Sequence, residues 1–101
     1  MTSICKIAKD WGCLVLEDCS QAHGTKHAGQ PVGSFGDISA FSLYPGKNLG
    51  AAGDAGIVTT NNEELYNRLL KLRNLGSVEK HVHDIKGGNH RLGNNYHIIV
   101  Q

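Results

Sequence analysis

The sequence predicts an α/β fold on a mostly parallel sheet with one antiparallel strand. Three observations predict it. A four-residue apolar run, Cys13–Leu16, runs straight into two acids, Glu17 and Asp18; unbroken apolar runs suit strands covered on both faces. Amphipathic helical patterns precede the first strand candidate and follow the last. The connection from Tyr44 to Ala55 is about ten residues of loop with no helical pattern, whereas a parallel crossover needs a dozen or more residues and usually a helix.

Residues 3–11 place Ile4, Ile7, Ala8 and Trp11 at helical spacing, with Lys6, Lys9 and Asp10 on the other side. Thr2 or Ser3 is expected to cap the start and Gly12 to end it, and Trp11 is expected in the core. The first strand is read at 13–19. Residues 20–36 are rich in turn residues: Gly24, Gly29, Pro31, Gly33 and Gly36. "DISAFSLY" (37–44) is a second strand and "AGIVTT" (55–60) a third, expected to run antiparallel to the second. "NNEELYNRLLKLRNLG" (61–76) is a helix. Asn61 or Asn62 caps it, Glu63 and Glu64 sit in its first turn, Arg68, Lys71 and Arg73 lie toward its end, and Gly76 stops it. Leu65, Leu69 and Leu72 form its inner stripe. After Ser77 the pattern fades to a polar, His-rich stretch with a short apolar segment at 98–100. Two helices over three strands leave apolar strand faces uncovered, so the chain reads as a slice of a domain.

The 101 residues carry a net charge of +1, with 40% apolar and 19% charged residues. That balance gives no electrostatic case for nucleic acid or a membrane surface. No apolar run reaches the ~18 residues of a spanning helix, and the N-terminus lacks a signal-peptide core. Cys5, Cys13 and Cys19 form no CxxC and leave one unpaired, which suits reduced thiols in the cytoplasm.

Two residues stand out chemically. Asp18 ends a strand where α/β sheets open their ligand crevices; a carboxylate capping the next turn is the plainer reading. Lys47 follows the second strand and can share that sheet edge. Glycines surround it, at 46, 50, 53 and 56, and let the backbone turn tightly and approach a ligand. An amine of lowered pKa attacks carbonyls to form Schiff bases; a solvated loop lysine is the default alternative. A phosphate loop is rejected, because G-x-x-x-x-G-K-[ST] would need Gly where Phe41 stands and Ser or Thr where Asn48 stands.

Taken together, the segments resemble the DegT/DnrJ/EryC1/StrS family of sugar aminotransferases, which are fold-type I enzymes using pyridoxal phosphate. The resemblance is carried by E-D-x-x-Q-A-x-G at Glu17–Gly24, G-x-x-G-D at Gly33–Asp37, and F-S-x-x-x-x-K-N at Phe41–Asn48. G-D-x-G at Gly53–Gly56 and R-N-x-G at Arg73–Gly76 extend it, so that it covers roughly residues 4–92. It implies a three-layer α/β/α large domain, of which residues 1–101 are the central part, with the N-terminal part and the C-terminal small domain absent. It also implies roles. Lys47 matches the lysine that forms the Schiff base, Asp18 the acid at the pyridine nitrogen, and Gln21 the group at the ring hydroxyl. Ser42 matches a phosphate donor. Asn89, in "GGNHR", matches an asparagine that reaches the phosphate of the neighbouring subunit's cofactor in a homodimer with shared sites.

The implied reaction moves an amino group, from glutamate, to a nucleotide-linked keto sugar. "YPGKNLGAAGDAG" resembles the branch acting on 3-keto-6-deoxyhexoses in amino-sugar and polysaccharide biosynthesis. Lys47 argues against the dehydratase branch, which has histidine there. After G-x-N-x-R-L the family continues D-x-x-Q-A-A, whereas this chain reads "GNNYHIIVQ"; a frameshift, truncation or divergence would account for that. The isolated chain is therefore expected to catalyse poorly. The rival reading is a non-catalytic α/β remnant acting as a regulatory or interaction module. His81, His83, Asp84 and His90 have irregular loop spacing, and no metal site is expected. His23 and His27 read as turn residues or pocket lining. Nothing marks Cys19 as a low-pKa nucleophile.

Overall fold

The computed structural model describes residues 1–74, 76–79, 82–83, 85–86 and 96–100. The first helix, α1, spans Thr2–Asp10. Gly12, at φ +64°, ends it. The Cys13 N–H reaches back to the Ala8 carbonyl (2.8 Å) and the Gly12 N–H to that of Lys9 (3.2 Å), the paired closure of a Schellman motif. The expected cap at Thr2 or Ser3 is corrected: both lie inside the helix, and Met1 precedes it with no side-chain cap.

Strand β1 is Leu16–Asp18, β2 is Lys26–His27, β3 is Gln30–Pro31, β4 is Ile38–Ser42 and β5 is Ala55–Thr59. Helix α2 is Glu63–Arg73, and β6 (Ser77–Glu79), β7 (Val82–His83) and β8 (Tyr96–Val100) complete the described elements. The main sheet has the order β1-β4-β5-β8. β1 runs parallel to β4 and β5 parallel to β8, while β4 and β5 are antiparallel. The antiparallel turn expected after Tyr44 is thus present, and the architecture is a partial α/β unit with a mixed, mostly parallel sheet. β2 and β3 form a hairpin inside the stretch read only as turns. Strands of two residues carry no periodicity to find. Asn62 caps α2, its Oδ1 accepting from the Leu65 N–H at 3.1 Å.

Among residues 1–74 the only buried apolar side chain is Cys19. Trp11 is 80% exposed, and Leu14 and Leu16 are each 67% exposed. The placing of Trp11 in the core, and of the first strand as covered on both faces, is therefore corrected. No described segment packs on the Ile4–Trp11 stripe. Helix α1 is held instead through Cys5, whose thiol donates to the Phe35 carbonyl at 3.5 Å. The uncovered strand faces expected from the element count are present.

Candidate active site

Parallel pairing sets Leu16 beside Ile38, Glu17 beside Ser39 and Asp18 beside Ala40. The carboxyl ends of β1 and β4 therefore lie at one sheet edge. Paired residues share a face and neighbours alternate. Asp18, Ala40 and Ser42 fall on one face; Glu17, Ser39 and Phe41 fall on the other.

Asp18 is exposed at that edge. Its Oδ1 accepts from the Ser20 hydroxyl and from the Ser20 N–H at 3.0 Å. The Ser20 hydroxyl and then its N–H hold the Asp18 carboxyl below its ordinary range, against a penalty from burial that is larger than the slight help of the Lys47 charge.

Lys47 is half-buried. Its N–H donates to the Tyr44 carbonyl at 2.8 Å, closing a turn with Pro45 in the position proline favours. The loop then folds back: the Ala51 N–H donates to the Leu43 carbonyl at 2.9 Å and the Leu43 N–H to that of Ala55 at 2.8 Å. A Cβ on Gly50 would lie 2.5 Å from the Pro45 carbonyl oxygen, so this closure requires glycine there. Ser42 is half-buried, its hydroxyl accepting from the Tyr44 N–H at 3.3 Å. Gln21 is exposed in a turn closed by Ala22 N–H to Cys19 carbonyl at 3.0 Å. Asp18, Gln21, Ser42 and Lys47 thus lie at, or just beyond, the ends of two adjacent strands. Asn89 lies outside the described residues.

Sequence reasoning missed Glu17. It is 6% exposed and accepts from the backbone N–H groups of Gly33 (2.8 Å), Phe35 (2.7 Å) and Gly36 (2.7 Å). The Ser39 hydroxyl lies 3.4 Å from its Oε1 but only 2.8 Å from the Gly33 carbonyl, so its one proton goes mainly to Gly33. Burial raises the Glu17 carboxyl, but the amides of Gly36, Gly33 and Phe35, with a smaller share from Ser39, outweigh it and hold it below its ordinary value. The only sequence signal was alternation: an acid next to an outward-facing acid must point to the other face.

His23 packs against Phe41, ring centroids 5.7 Å apart, with neither ring nitrogen partnered. His27 meets Phe35 edge-on at 5.8 Å. Burial, with the charges of Glu17 and Asp18, pushes the Cys19 thiol up, away from nucleophilic character. Among the described residues no group of three or more His, Cys, Asp or Glu could hold a metal ion, and no helix is long and apolar enough to cross a membrane; His81, Asp84 and His90 lie outside them. The set that remains is one carboxylate held ionised, one amine, one hydroxyl and one carboxamide. It fits a phosphorylated pyridine aldehyde, with the carboxylate for the ring nitrogen and the amine for the aldehyde carbon.

The chain is similar to known proteins along its length. The chain is 48% identical over its full length to UDP-N-acetyl-3-dehydro-alpha-D-glucosamine 3-aminotransferase of Acidithiobacillus ferrooxidans, covering 27% of that protein. It is 55% identical over 92 residues to dTDP-3-amino-3,6-dideoxy-alpha-D-galactopyranose transaminase of Aneurinibacillus thermoaerophilus, covering 91% of this chain and 25% of that one. The crystal structure of DesV of S. venezuelae in complex with a ketimine intermediate superposes with a TM-score of 0.79 at 44% identity, over 88% of this chain and 24% of DesV. The chain thus spans about a quarter of the length of the relatives it matches. The sequence model of one aminotransferase family matches residues 1–99, including the tail beyond 92 where the motif pattern breaks off. On these grounds the chain belongs to the DegT/DnrJ/EryC1/StrS aminotransferase family.

Proposed function

We propose that these residues form the cofactor-holding centre of a pyridoxal phosphate-dependent sugar aminotransferase, in the central part of its large domain. The amino group goes from glutamate to a nucleotide-linked keto-deoxysugar, with the amine placed at C3 of the ring, in the cytoplasm. The observation that carries this is the shared sheet edge, where Asp18 ends β1 and the Lys47 loop leaves β4 beside it. The relatives named as 3-aminotransferases and 3-amino-sugar transaminases support the choice of carbon.

Pyridoxal phosphate, when bound, supplies an electron sink for breaking and making bonds at the amino-bearing carbon. Asp18, being ionised, would lie by the ring nitrogen and favour its protonated form; Ser20 orients that carboxylate. Lys47 would anchor the group through its amine and, when free, would be the base that holds and moves a proton. Gln21 and Ser42 would hold the ring hydroxyl and the phosphate. By the family resemblance, Asn89 would serve the phosphate of the neighbouring subunit's cofactor in a homodimer.

The test is covalent trapping. The chain is mixed with pyridoxal phosphate, reduced with borohydride and digested, and the labelled peptide is mapped. Label on Lys47, lost in Lys47→Ala and reduced in Asp18→Asn, is the expected result. Label spread over surface lysines, with none enriched at Lys47, overturns the reading and leaves the non-catalytic module.

A further inference from the structure

We propose that Glu17 is a positioning residue that fixes the direction of the Asp18 carboxylate. Little else holds the end of β1. The strand is three residues long, and beyond the ladder its end is tied by one backbone bond, Cys19 N–H to Ala40 carbonyl at 2.8 Å. Glu17 adds three charge-assisted bonds from Gly33, Phe35 and Gly36; bonds to an ionised acceptor are about twice as strong as neutral ones.

The turn receiving this grip is itself closely packed. Gly33 has φ +86°, and a Cβ there would lie 2.4 Å from the Phe41 ring. A Cβ on Gly36 would lie 2.6 Å from the Val15 carbonyl oxygen. The turn is tied to β4 by the bond from the Ser39 hydroxyl to the Gly33 carbonyl. Because successive side chains point to opposite faces, a Glu17 that cannot rotate leaves Asp18 facing the Lys47 edge. Rotation of β1 about its axis would swing Asp18 out of reach of the Ser20 hydroxyl.

The sign of one measurement separates positioning from the mere charge of Glu17. Glu17 is a negative neighbour, so removing its charge alone would lower the Asp18 pKa. Losing its grip would instead loosen the Ser20 contacts and raise it. The Asp18 carboxyl is titrated by carbon-detected NMR in the 101-residue chain and in Glu17→Gln, with Ser20→Ala as the reference for a lost contact. An upward shift in Glu17→Gln, toward the Ser20→Ala value, is expected, together with faster amide exchange at Gly33, Phe35 and Gly36. An unchanged or lowered Asp18 titration in a folded Glu17→Gln chain overturns the proposal. If Glu17→Gln does not fold, Ser39→Ala, which frees the Gly33 carbonyl, decides in its place: a smaller upward shift supports the proposal and no shift overturns it. The functional importance of this positioning rests on the cofactor reading above. The titration needs no cofactor, so failed trapping at Lys47 and failed movement of Asp18 are separate results.

Discussion

The two faces of β1 carry one carboxylate each, and the two are used in opposite ways. Glu17, 6% exposed, is surrounded by three amides and a hydroxyl. Asp18, exposed, has its contacts from one neighbouring residue, Ser20, and feels the charge of Lys47 from across the edge. A carboxylate held by three backbone amides keeps its direction; one with open sides can meet a ligand. Both are kept ionised, but by hydrogen bonds inside the fold in one case and at its margin in the other.

Glu17→Ala breaks the comparison most severely. It leaves the half-buried Gly33, Phe35 and Gly36 N–H groups without their acceptor, and an unsatisfied polar group shielded from water costs about 1–3 kcal/mol. A loss of about 3 kcal/mol or more is expected in urea unfolding. Asp18→Ala should barely move the unfolding midpoint yet sharply reduce borohydride label at Lys47. Similar unfolding losses for the two variants would erase the distinction between the faces.

Acid tests the same asymmetry. The folded Glu17 carboxyl lies below its ordinary value of 4.5, so the unfolded chain takes up its proton first. The contribution of Glu17 is therefore complete above about that value and is lost as pH falls through the lower folded value. The acid-induced loss of stability should be shallower in Glu17→Gln than in the unaltered chain, read from urea midpoints between neutral pH and pH 3. Equal slopes would mean that Glu17 does not drive it.

The glycines beneath Glu17 come next in size. Gly36→Ala forces the Val15 carbonyl to move, from a contact of 2.6 Å, and Gly33→Ala places a side chain at φ +86° against Phe41. Each is expected to cost about 2 kcal/mol in urea unfolding, from left-handed strain of about 1–2 kcal/mol at Gly33 and from overpacking of about 1–3 kcal/mol at both.

What could be read in advance follows from the range of each signal. Helix α2 was legible because Asn62, the first-turn acids and the leucine spacing are all local. The antiparallel course of β5 was legible because loop length set it, and the places of Asp18 and Lys47 at or just after a strand end are also local. The contacts of Glu17 lie 16, 18 and 19 residues away in sequence, and they are made by backbone amides that every residue but proline possesses. No residue type announces them. Trp11 failed for a different reason. Its helical spacing correctly gave α1 and an apolar stripe, but spacing shows only that a stripe exists. Whether it is covered depends on what packs there, and no described residue does.

The smallest expected effect is at the Lys47 loop, and it sharpens the contrast between the two glycine-rich segments. Gly36 and Gly50 are held by close backbone approach. At Gly46 a Cβ would meet nothing nearer than the Tyr44 ring, at an ordinary 3.8 Å, and Gly46 is not among the positive-φ glycines. An alanine there adds no strain and restricts the unfolded chain, which is worth about 0.4–1 kcal/mol in favour of folding. Gly46→Ala should therefore unfold at slightly higher urea than the unaltered chain. Its label at Lys47 tells why the glycine is there. Full labelling would mean that the turn alone positions the amine; reduced labelling with raised stability would mean that the open side of Gly46 is room kept for the ligand rather than for the fold.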